Sequence, residues 1–151
     1  MIGAGEADAE TSRLAKRVGG EIARRGATLV CGGRTGVMEA AARGAVEAGG
    51  LSVGILPTYD WRAGNPYLTV VLPTGLGQAR NAIVAAASDA VIALAGEYGT
   101  LSEIGLALKL GRAVIGLRAW RHIEGVTEVD DPVSAVDAAM AAAIGQIEKS
   151  R

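Results

Sequence analysis

The chain has 151 residues, a hydrophobic share of 50% and a formal net charge of −1, which suits one domain over residues 1–151 with its own core. Because no stretch concentrates Lys and Arg on one face, no nucleic-acid partner is expected. Cys31 and His122 are the single residues of their types, which excludes an internal disulfide and the usual Cys/His zinc sites. No apolar run reaches the roughly 18 residues of a membrane span and no signal region opens the chain, so we expect a reducing, cytoplasmic setting without a membrane partner.

Short β-branched apolar runs alternate along the chain with longer, alanine-rich amphipathic stretches. This order predicts an α/β fold of the doubly wound, Rossmann-like kind, with a mostly parallel sheet and helices on both faces. Residues 1–5 are predicted as the end of a first strand that runs directly into a glycine turn. Further strands are predicted at residues 28–31, 51–56, 68–72, 90–94 and 113–117. Helices are predicted at residues 9–25, 36–48, 76–87, 100–110 and 132–147, the last with Asp131 as its cap and Pro132 at its first position. Residues 118–130 are predicted as a loop with one short strand at residues 126–129.

Ligands of open parallel sheets bind outside the carboxyl ends of the strands, so each strand exit is a candidate site. The first exit reads Gly3-Ala4-Gly5-Glu6-Ala7-Asp8, a partial dinucleotide fingerprint with Asp8 in place of the third glycine. The second strand ends in Val30-Cys31-Gly32-Gly33, without the acid that would bind a ribose. An NAD-type site is therefore disfavoured, although Gly5 remains a candidate ligand-binding residue.

The second exit packs three glycines into a strand-to-helix turn, Cys31-Gly32-Gly33-Arg34-Thr35-Gly36. Glycine lets backbone amides approach an anion closely, so Gly32, Gly33, Thr35 and Gly36 are predicted to hold a phosphate or a sugar. The alternative is that these glycines only permit a tight turn.

The fifth exit follows a fully apolar strand and reads Ala95-Gly96-Glu97-Tyr98-Gly99-Thr100-Leu101-Ser102-Glu103. Gly96, Gly99, Thr100 and Leu101 are predicted to surround a phosphate at the start of the following helix. Glu103 stands three residues after Thr100, so its alternative role is to cap its own helix.

Arg80 lies in the first turns of an otherwise apolar predicted helix. Its planar guanidinium matches a phosphate or a carboxylate. The alternative is a solvated arginine or one paired with a neighbouring acid.

Three of the five aromatic residues lie in the loop at residues 57–67: Tyr59, Trp61 and Tyr67. They are predicted to stack on a base, to anchor a subunit contact, or to pack within the loop. His122 is interpreted as a surface residue and Cys31 as a small buried residue at a strand end.

Together, the motif at residues 32–38, the motif at residues 96–103 and Arg80 between them resemble the LOG-type proteins, which are cytokinin-activating nucleoside 5′-monophosphate phosphoribohydrolases. They resemble still more the subgroup that holds the molybdenum cofactor carrier proteins and relatives of the DNA-processing protein DprA. The resemblance runs from Gly3 to about Leu117. Some members carry the label lysine decarboxylase, which is disfavoured here because Lys16, Lys109 and Lys149 all fall within predicted helices rather than at a strand exit.

The resemblance implies a catalytic Glu103 assisted by Arg80, a bound nucleotide or molybdopterin-type ligand, no required cofactor and no metal. It also implies a homodimer or homotetramer that packs through helices 76–87 and 100–110. The hydrolase motif Pro-Gly-Gly-x-Gly-Thr-x-x-Glu is broken at Ala95 and Glu97, and Asn81 replaces the lysine that usually follows the arginine. The Glu97 carboxylate would repel a phosphate unless it turns away or pairs with Arg34 or Arg80.

Three functions are consistent with these residues. The first is a nucleotide-binding carrier or sensor, the second is a phosphoribohydrolase that cleaves the N-glycosidic bond, and the third is a structural oligomeric module with a vestigial site.

Overall fold

A computed structural model describes residues 1–120 and 122–149. Seven strands lie at Ile2–Gly3 (β1), Leu29–Cys31 (β2), Ser52–Leu56 (β3), Val70–Pro73 (β4), Ala90–Leu94 (β5), Ala113–Leu117 (β6) and Val126–Val129 (β7). Five helices lie at Ala9–Arg24 (α1), Val37–Glu47 (α2), Arg80–Ala86 (α3), Tyr98–Lys109 (α4) and Pro132–Lys149 (α5). The alternation of strands and helices therefore follows the predicted order.

All strand pairs are parallel. A four-stranded sheet has the order β1-β5-β6-β7 and a three-stranded sheet has the order β2-β3-β4. The main-chain nitrogen of Met1 donates to the carbonyl of Val30 at 2.6 Å, which brings the β1 edge of one sheet to the β2 edge of the other. Since parallel strands end at the same edge, the exits of β1, β2 and β5 face one region of the surface.

Helices cover both faces of the sheets, as the doubly wound prediction requires. One core cluster joins α1, α2 and α5 to the sheets, and a second joins α3 and α4 to them. Side chains of β5 alternate between these clusters: Val91 and Ala93 lie in the second, while Ile92 and Leu94 lie in the first. A strand buried on both faces needs apolar residues at every position, which explains its unbroken apolar sequence.

Glycine allows the closest helix contact in the fold, between α1 and α2. A Cβ added at Gly19 would lie 1.9 Å from the carbonyl oxygen of Ala41, and one added at Gly44 would lie 1.9 Å from that of Lys16. In a chain without phenylalanine, this close approach of backbones fills the space that large side chains would otherwise fill.

The helix prediction for residues 76–87 was too long at its start. Residues Gly77–Ala79 form a single 3₁₀ turn, and the α-helix begins only at Arg80. Gly75 and Gly77 have φ angles of +67° and +56°, which an α-helix does not accommodate. Arg80 is therefore the first residue of α3.

Helix α4 begins two residues earlier than predicted, at Tyr98, with Glu97 as its N-cap residue. Thr100 is thus the third helical residue, and Glu103 lies beyond the first turn. The alternative in which Glu103 caps its own helix start is therefore wrong.

Two further predictions concern the end of the chain. Residues Val126–Val129 do form a strand, which pairs with β6 from Val114 to Leu117. Asp131 caps α5 as predicted, because its carboxylate accepts from the amides of Val133 at 2.9 Å and Ser134 at 3.1 Å. Among the described residues, no helix is both long enough and apolar enough to cross a membrane.

Candidate functional site

The exits of β1, β2 and β5 line one cavity of about 800 Å³. Its lining residues come from five segments of the chain, and they are Ile2, Gly3, Ala4, Gly5, Glu6, Gly32, Met38, Pro57, Gly77, Gln78, Arg80, Asn81, Glu97, Tyr98, Gly99, Thr100, Ser102 and Glu103. The glycine turns after β2 and β5, which are 67 residues apart at Gly32 and Gly99, therefore meet at one site.

The floor of the cavity is formed by three buried polar side chains, those of Arg80, Thr100 and Glu103. They are 9%, 3% and 8% exposed, respectively. Thr100 and Glu103 lie three residues apart in α4, so they project from the same face of the helix. Arg80 reaches the same point from the start of α3.

The Arg80 guanidinium lies near the Glu103 carboxyl but is not fully paired within the protein. Its Nε and Nη1 atoms make no hydrogen bond to any described residue, and no described carboxylate lies within the 4 Å of an ion pair. Burial lowers the pKa of Arg80, but an arginine keeps its charge at neutral pH. A buried cation that is not fully paired is costly, so this arrangement favours the arrival of an anion.

Gly32 makes the room that the guanidinium occupies. A Cβ added at Gly32 would lie 1.9 Å from Nη1 of Arg80 and 2.7 Å from its Cζ. Any other residue at this position would therefore push Arg80 out of its place at the floor.

Glu103 has an environment that favours its neutral form. Burial raises the pKa of Glu103 to about 7, while the nearby positive charge of Arg80 acts in the opposite direction. A carboxyl group that is half ionised near neutral pH is suited to donate or accept a proton, or to stabilise developing positive charge.

Helix α4 directs its first amides at the cavity. Gly99 and Thr100 lie in the first turn, where backbone N–H groups have no partner within the helix, and both line the cavity. Leu101 does not line it, and its amide donates to the carbonyl of Glu97 at 3.1 Å. The amide donors available to a ligand therefore come before Leu101.

The turn after β2 divides its predicted residues into two groups. Gly32 lines the cavity, whereas Gly33, with φ +72°, turns its α-carbon toward Gly54 and the Leu56 side chain. The Thr35 hydroxyl donates to the carbonyl of Gly5 at 2.8 Å, and Gly36 packs against the same carbonyl. Gly33, Thr35 and Gly36 thus shape and join the turns without lining the cavity.

Gly96 also shapes its loop without lining the cavity. It has φ +112°, and a Cβ added there would lie 2.1 Å from the Thr100 hydroxyl oxygen. Only glycine allows the loop to fold over Thr100, which keeps Thr100 buried at the floor.

Eight of the lining residues are exposed, and those with side chains, which form the mouth of the cavity, are Glu6, Gln78, Glu97, Tyr98 and Ser102. Glu97 makes no capping hydrogen bond, and within residues 1–120 and 122–149 it pairs with neither Arg34 nor Arg80. Its carboxylate thus stays in solvent at the mouth, away from the buried floor.

Tyr98 is the aromatic residue of the cavity, and the sequence analysis did not single it out. Its ring is 79% exposed and lies 5.9 Å from the ring of Trp120. Tyr59, Trp61 and Tyr67 do not line the cavity, so of their three predicted roles the structure does not support stacking on a base there. The signal that could have identified Tyr98 is its place between Gly96 and Thr100, at a helix start.

No group of three or more His, Cys, Asp or Glu side chains in the described part of the chain is arranged to hold a metal ion. His122 is exposed and Cys31 is buried, as predicted. Neither residue lines the cavity, so the polar chemistry at the floor comes from Arg80, Thr100 and Glu103.

Comparison with known proteins agrees with this geometry. The model of the SLOG cluster4 family matches residues 1–144. The chain belongs to the SLOG cluster4 family. This membership confirms the LOG-type resemblance that the glycine motifs predicted.

Two solved structures place this SLOG cluster4 chain next to cofactor-binding proteins. The molybdenum cofactor binding protein of the phototrophic bacterium Rippkaea orientalis superposes with a TM-score of 0.87 at 36% identity, covering 93% of both chains. The molybdenum cofactor carrier protein of Chlamydomonas reinhardtii superposes with a TM-score of 0.82 at 30% identity, covering 95% of this chain and 98% of that one.

A curated relative of this SLOG cluster4 chain is an enzyme. The cytokinin riboside 5′-monophosphate phosphoribohydrolase of Mycobacterium tuberculosis is 34% identical over 128 residues, which are 78% of this chain and 68% of that protein. The chain is thus similar both to proteins named for binding or carrying the molybdenum cofactor and to one named as a nucleotide hydrolase.

Proposed function

We propose that this protein binds a phosphate-bearing nucleotide, or a nucleotide-like cofactor of the molybdopterin type, in the cavity at the carboxyl ends of β1, β2 and β5. The protein acts as a carrier or sensor with little or no turnover. The anionic group of the ligand lies at the floor, between the Arg80 guanidinium and the amides of Gly99 and Thr100.

The observation that carries this proposal is the buried Arg80, which is not fully paired within the protein. Of the described lining residues, Arg80 is the one with a basic side chain, so a ligand has a single point where its anionic group is favoured. A charge-assisted hydrogen bond from the guanidinium to a bound phosphate would compensate for the burial of this charge. The names of the two similar solved proteins support a ligand of this chemistry.

A molybdopterin-type ligand also fits these residues. Such a ligand carries a phosphate, for which Arg80 and the α4 amides supply donors, and a planar ring system, for which the mouth leaves an open aromatic face at Tyr98. A cavity of about 800 Å³ lies within the usual range for small-molecule sites.

The alternative function is hydrolysis of nucleoside 5′-monophosphates. The observation that favours it is Glu103, which lies at the floor near Arg80 with its pKa raised to about 7. In that reaction the bond between the base nitrogen and the ribose carbon breaks, water adds to the ribose, and the base leaves. Glu103 would stabilise the positive charge on the sugar and position the water, while Arg80 would hold the phosphate.

The loop after β5 favours binding over hydrolysis. Ala95 occupies the position where the hydrolase motif has proline, and its φ angle is +50°. Proline is held near −65°, so it cannot adopt this conformation. The chain therefore follows a path here that the hydrolase motif does not allow.

One experiment separates the two functions. We expect adenosine 5′-monophosphate to raise the melting temperature of the protein more than adenosine does, and Arg80→Met to abolish the difference. Base release is measured in parallel by chromatography, with Glu103→Ala as the control. Release that disappears in Glu103→Ala would establish the hydrolase. If neither nucleotides nor pterin phosphates stabilise the protein, the remaining explanation is an oligomeric module with a vestigial site.

We also propose that the protein is a homodimer or homotetramer that packs through α3 and α4. The outward residues of α3 are uncharged and include Ala82, Ala86 and Ile83, which is 38% exposed, and Leu76 just before α3 is 52% exposed. Analytical ultracentrifugation of the wild type and of Ile83→Glu tests this, since a charge on that face would dissociate the assembly.

The setting that we propose is the cytoplasm, where the lone Cys31 thiol stays reduced. A net charge of −1 gives no reason to expect a nucleic-acid partner.

A further inference from the structure

The charges of the cavity are separated between its floor and its mouth. Arg80, which is 9% exposed, supplies the positive charge at the floor. The charged residues of the mouth are Glu6 and Glu97, both acidic and both exposed. A ligand held with its anionic group at the mouth would face two carboxylates, so its anionic group must point inward.

An inward anionic group leaves the opposite end of the ligand at the mouth. There the exposed ring of Tyr98 offers a flat apolar surface, with the ring of Trp120 5.9 Å away. Stacking on such a ring favours a planar heterocycle at this end.

Glu97 directly precedes Tyr98 in the chain and also lines the cavity, with an exposed carboxylate. Its backbone is fixed at the N-cap of α4, with φ −106° and ψ −157°, and Gly96 before it is packed on Thr100. Among the described residues, no cation neutralises Glu97 and no amide is capped by it. Both of its oxygens are therefore available as hydrogen-bond acceptors.

We propose that Glu97 is a specificity-determining residue, which accepts two N–H groups from the edge of a heterocycle stacked on Tyr98. The ligand class is a phosphate-bearing 2-amino-4-oxo heterocycle, because its ring N–H and its exocyclic amino group lie side by side. A carboxylate matches this pair with two parallel hydrogen bonds. This inference rests on the proposed function, since the phosphate at Arg80 sets the orientation of the ligand.

Guanosine 5′-monophosphate and inosine 5′-monophosphate test the inference, because they differ only by the exocyclic amino group. Isothermal titration calorimetry is expected to show that the wild type binds guanosine monophosphate about tenfold more tightly than inosine monophosphate. This is the affinity difference expected when one ligand makes one hydrogen bond more than the other. In Glu97→Gln the ratio is expected to fall to about threefold or less. Tyr98→Leu is expected to weaken both ligands by a similar factor, because both lose the stacking surface.

Glu6→Gln is the matched control, since it removes the same charge from the mouth on a different loop. The inference requires that Glu6→Gln keep the tenfold ratio. A wild-type ratio near one, or an equal fall of the ratio in Glu6→Gln and Glu97→Gln, would overturn it while leaving the proposed function intact. Failure of both nucleotides to bind the wild type would instead remove the proposed function, and this inference with it.

Discussion

Replacing Arg80 with methionine is expected to stabilise the ligand-free protein while it abolishes binding. Arg80 is 9% exposed, and its Nε and Nη1 atoms lack hydrogen-bond partners among the described residues. Each buried donor without a partner costs about 1–3 kcal/mol, and replacing buried ions by apolar side chains often stabilises proteins by about 1–4 kcal/mol. We therefore expect the free energy of unfolding to rise by about 1–4 kcal/mol, or by about 2–4 °C in melting temperature for each kcal/mol.

The size of this gain depends on pH through Glu103. At pH 6 Glu103 is mostly protonated, because its pKa is raised to about 7, so losing the charge of Arg80 matters little. At pH 8 Glu103 is ionised, and without Arg80 its pKa rises further. A protein loses stability as the pH increases when the folded state raises the pKa of one of its carboxyl groups. The gain in the free energy of unfolding from Arg80→Met is therefore expected to be smaller at pH 8.

Urea unfolding at pH 6 and pH 8, followed by circular dichroism at one protein concentration, measures both effects. Arg112→Met is the comparison variant, because Arg112 also has a buried Nε without a partner but donates through Nη1 to the Gln146 side chain at 3.2 Å and through Nη2 to the carbonyl of Ala86 at 3.0 Å. That variant is expected to lose stability. If Arg80→Met is less stable than the wild type by more than about 1 kcal/mol at pH 6, the guanidinium is not a buried group in need of a ligand.

Three other substitutions test separate parts of the structure. Gly32→Ala is expected to weaken nucleotide binding at least tenfold in calorimetry with little change in melting temperature, because its Cβ would lie 1.9 Å from Nη1 of Arg80 and displace a flexible side chain. Glu103→Gln is expected to gain stability over the wild type as the pH rises from 4.5 to about 7 in urea titrations, by about 3 kcal/mol, since the wild-type carboxyl ionises in the unfolded chain over this range but keeps its proton in the folded one. Gly19→Ala is expected to lose about 2–3 kcal/mol in thermal unfolding, because its Cβ would lie 1.9 Å from a main-chain oxygen, that of Ala41.

Each of these expectations has a result that would contradict it. For Gly32→Ala it is unchanged affinity, and for Glu103→Gln it is a stability difference that stays constant between pH 4.5 and pH 8. Gly145→Ala is the control for Gly19→Ala, since a Cβ there has no atom within 4 Å, and it is expected to gain up to about 1 kcal/mol. Equal stability of the two glycine variants would mean that α1 and α2 are not in close contact.

The secondary structure followed most closely from the sequence where burial leaves no choice of residue. Strands β5 and β6 match their predicted bounds, residues 90–94 and 113–117, because a central parallel strand is apolar at every position. The start of α3 was misplaced, since Gly75 and Gly77 have positive φ angles in a turn where the Tyr59 ring packs against Gly75. That contact joins residues 16 positions apart in the chain, so the local sequence pattern around Gly75 cannot predict it.

The sequence by itself determined that two glycine turns, Arg80 and a Thr-x-x-Glu segment lie at the same edge of a parallel sheet, because strand exits share an edge in this fold. Only the tertiary structure decided that Gly32 rather than Gly33 lines the cavity, that the cavity aromatic is Tyr98, and that Arg80 is not fully paired. The physical reason is that residue types and spacing follow from local chain geometry, whereas burial and partners depend on contacts between distant segments. The missing Cβ of Gly32 creates the place for a guanidinium 48 residues further along the chain.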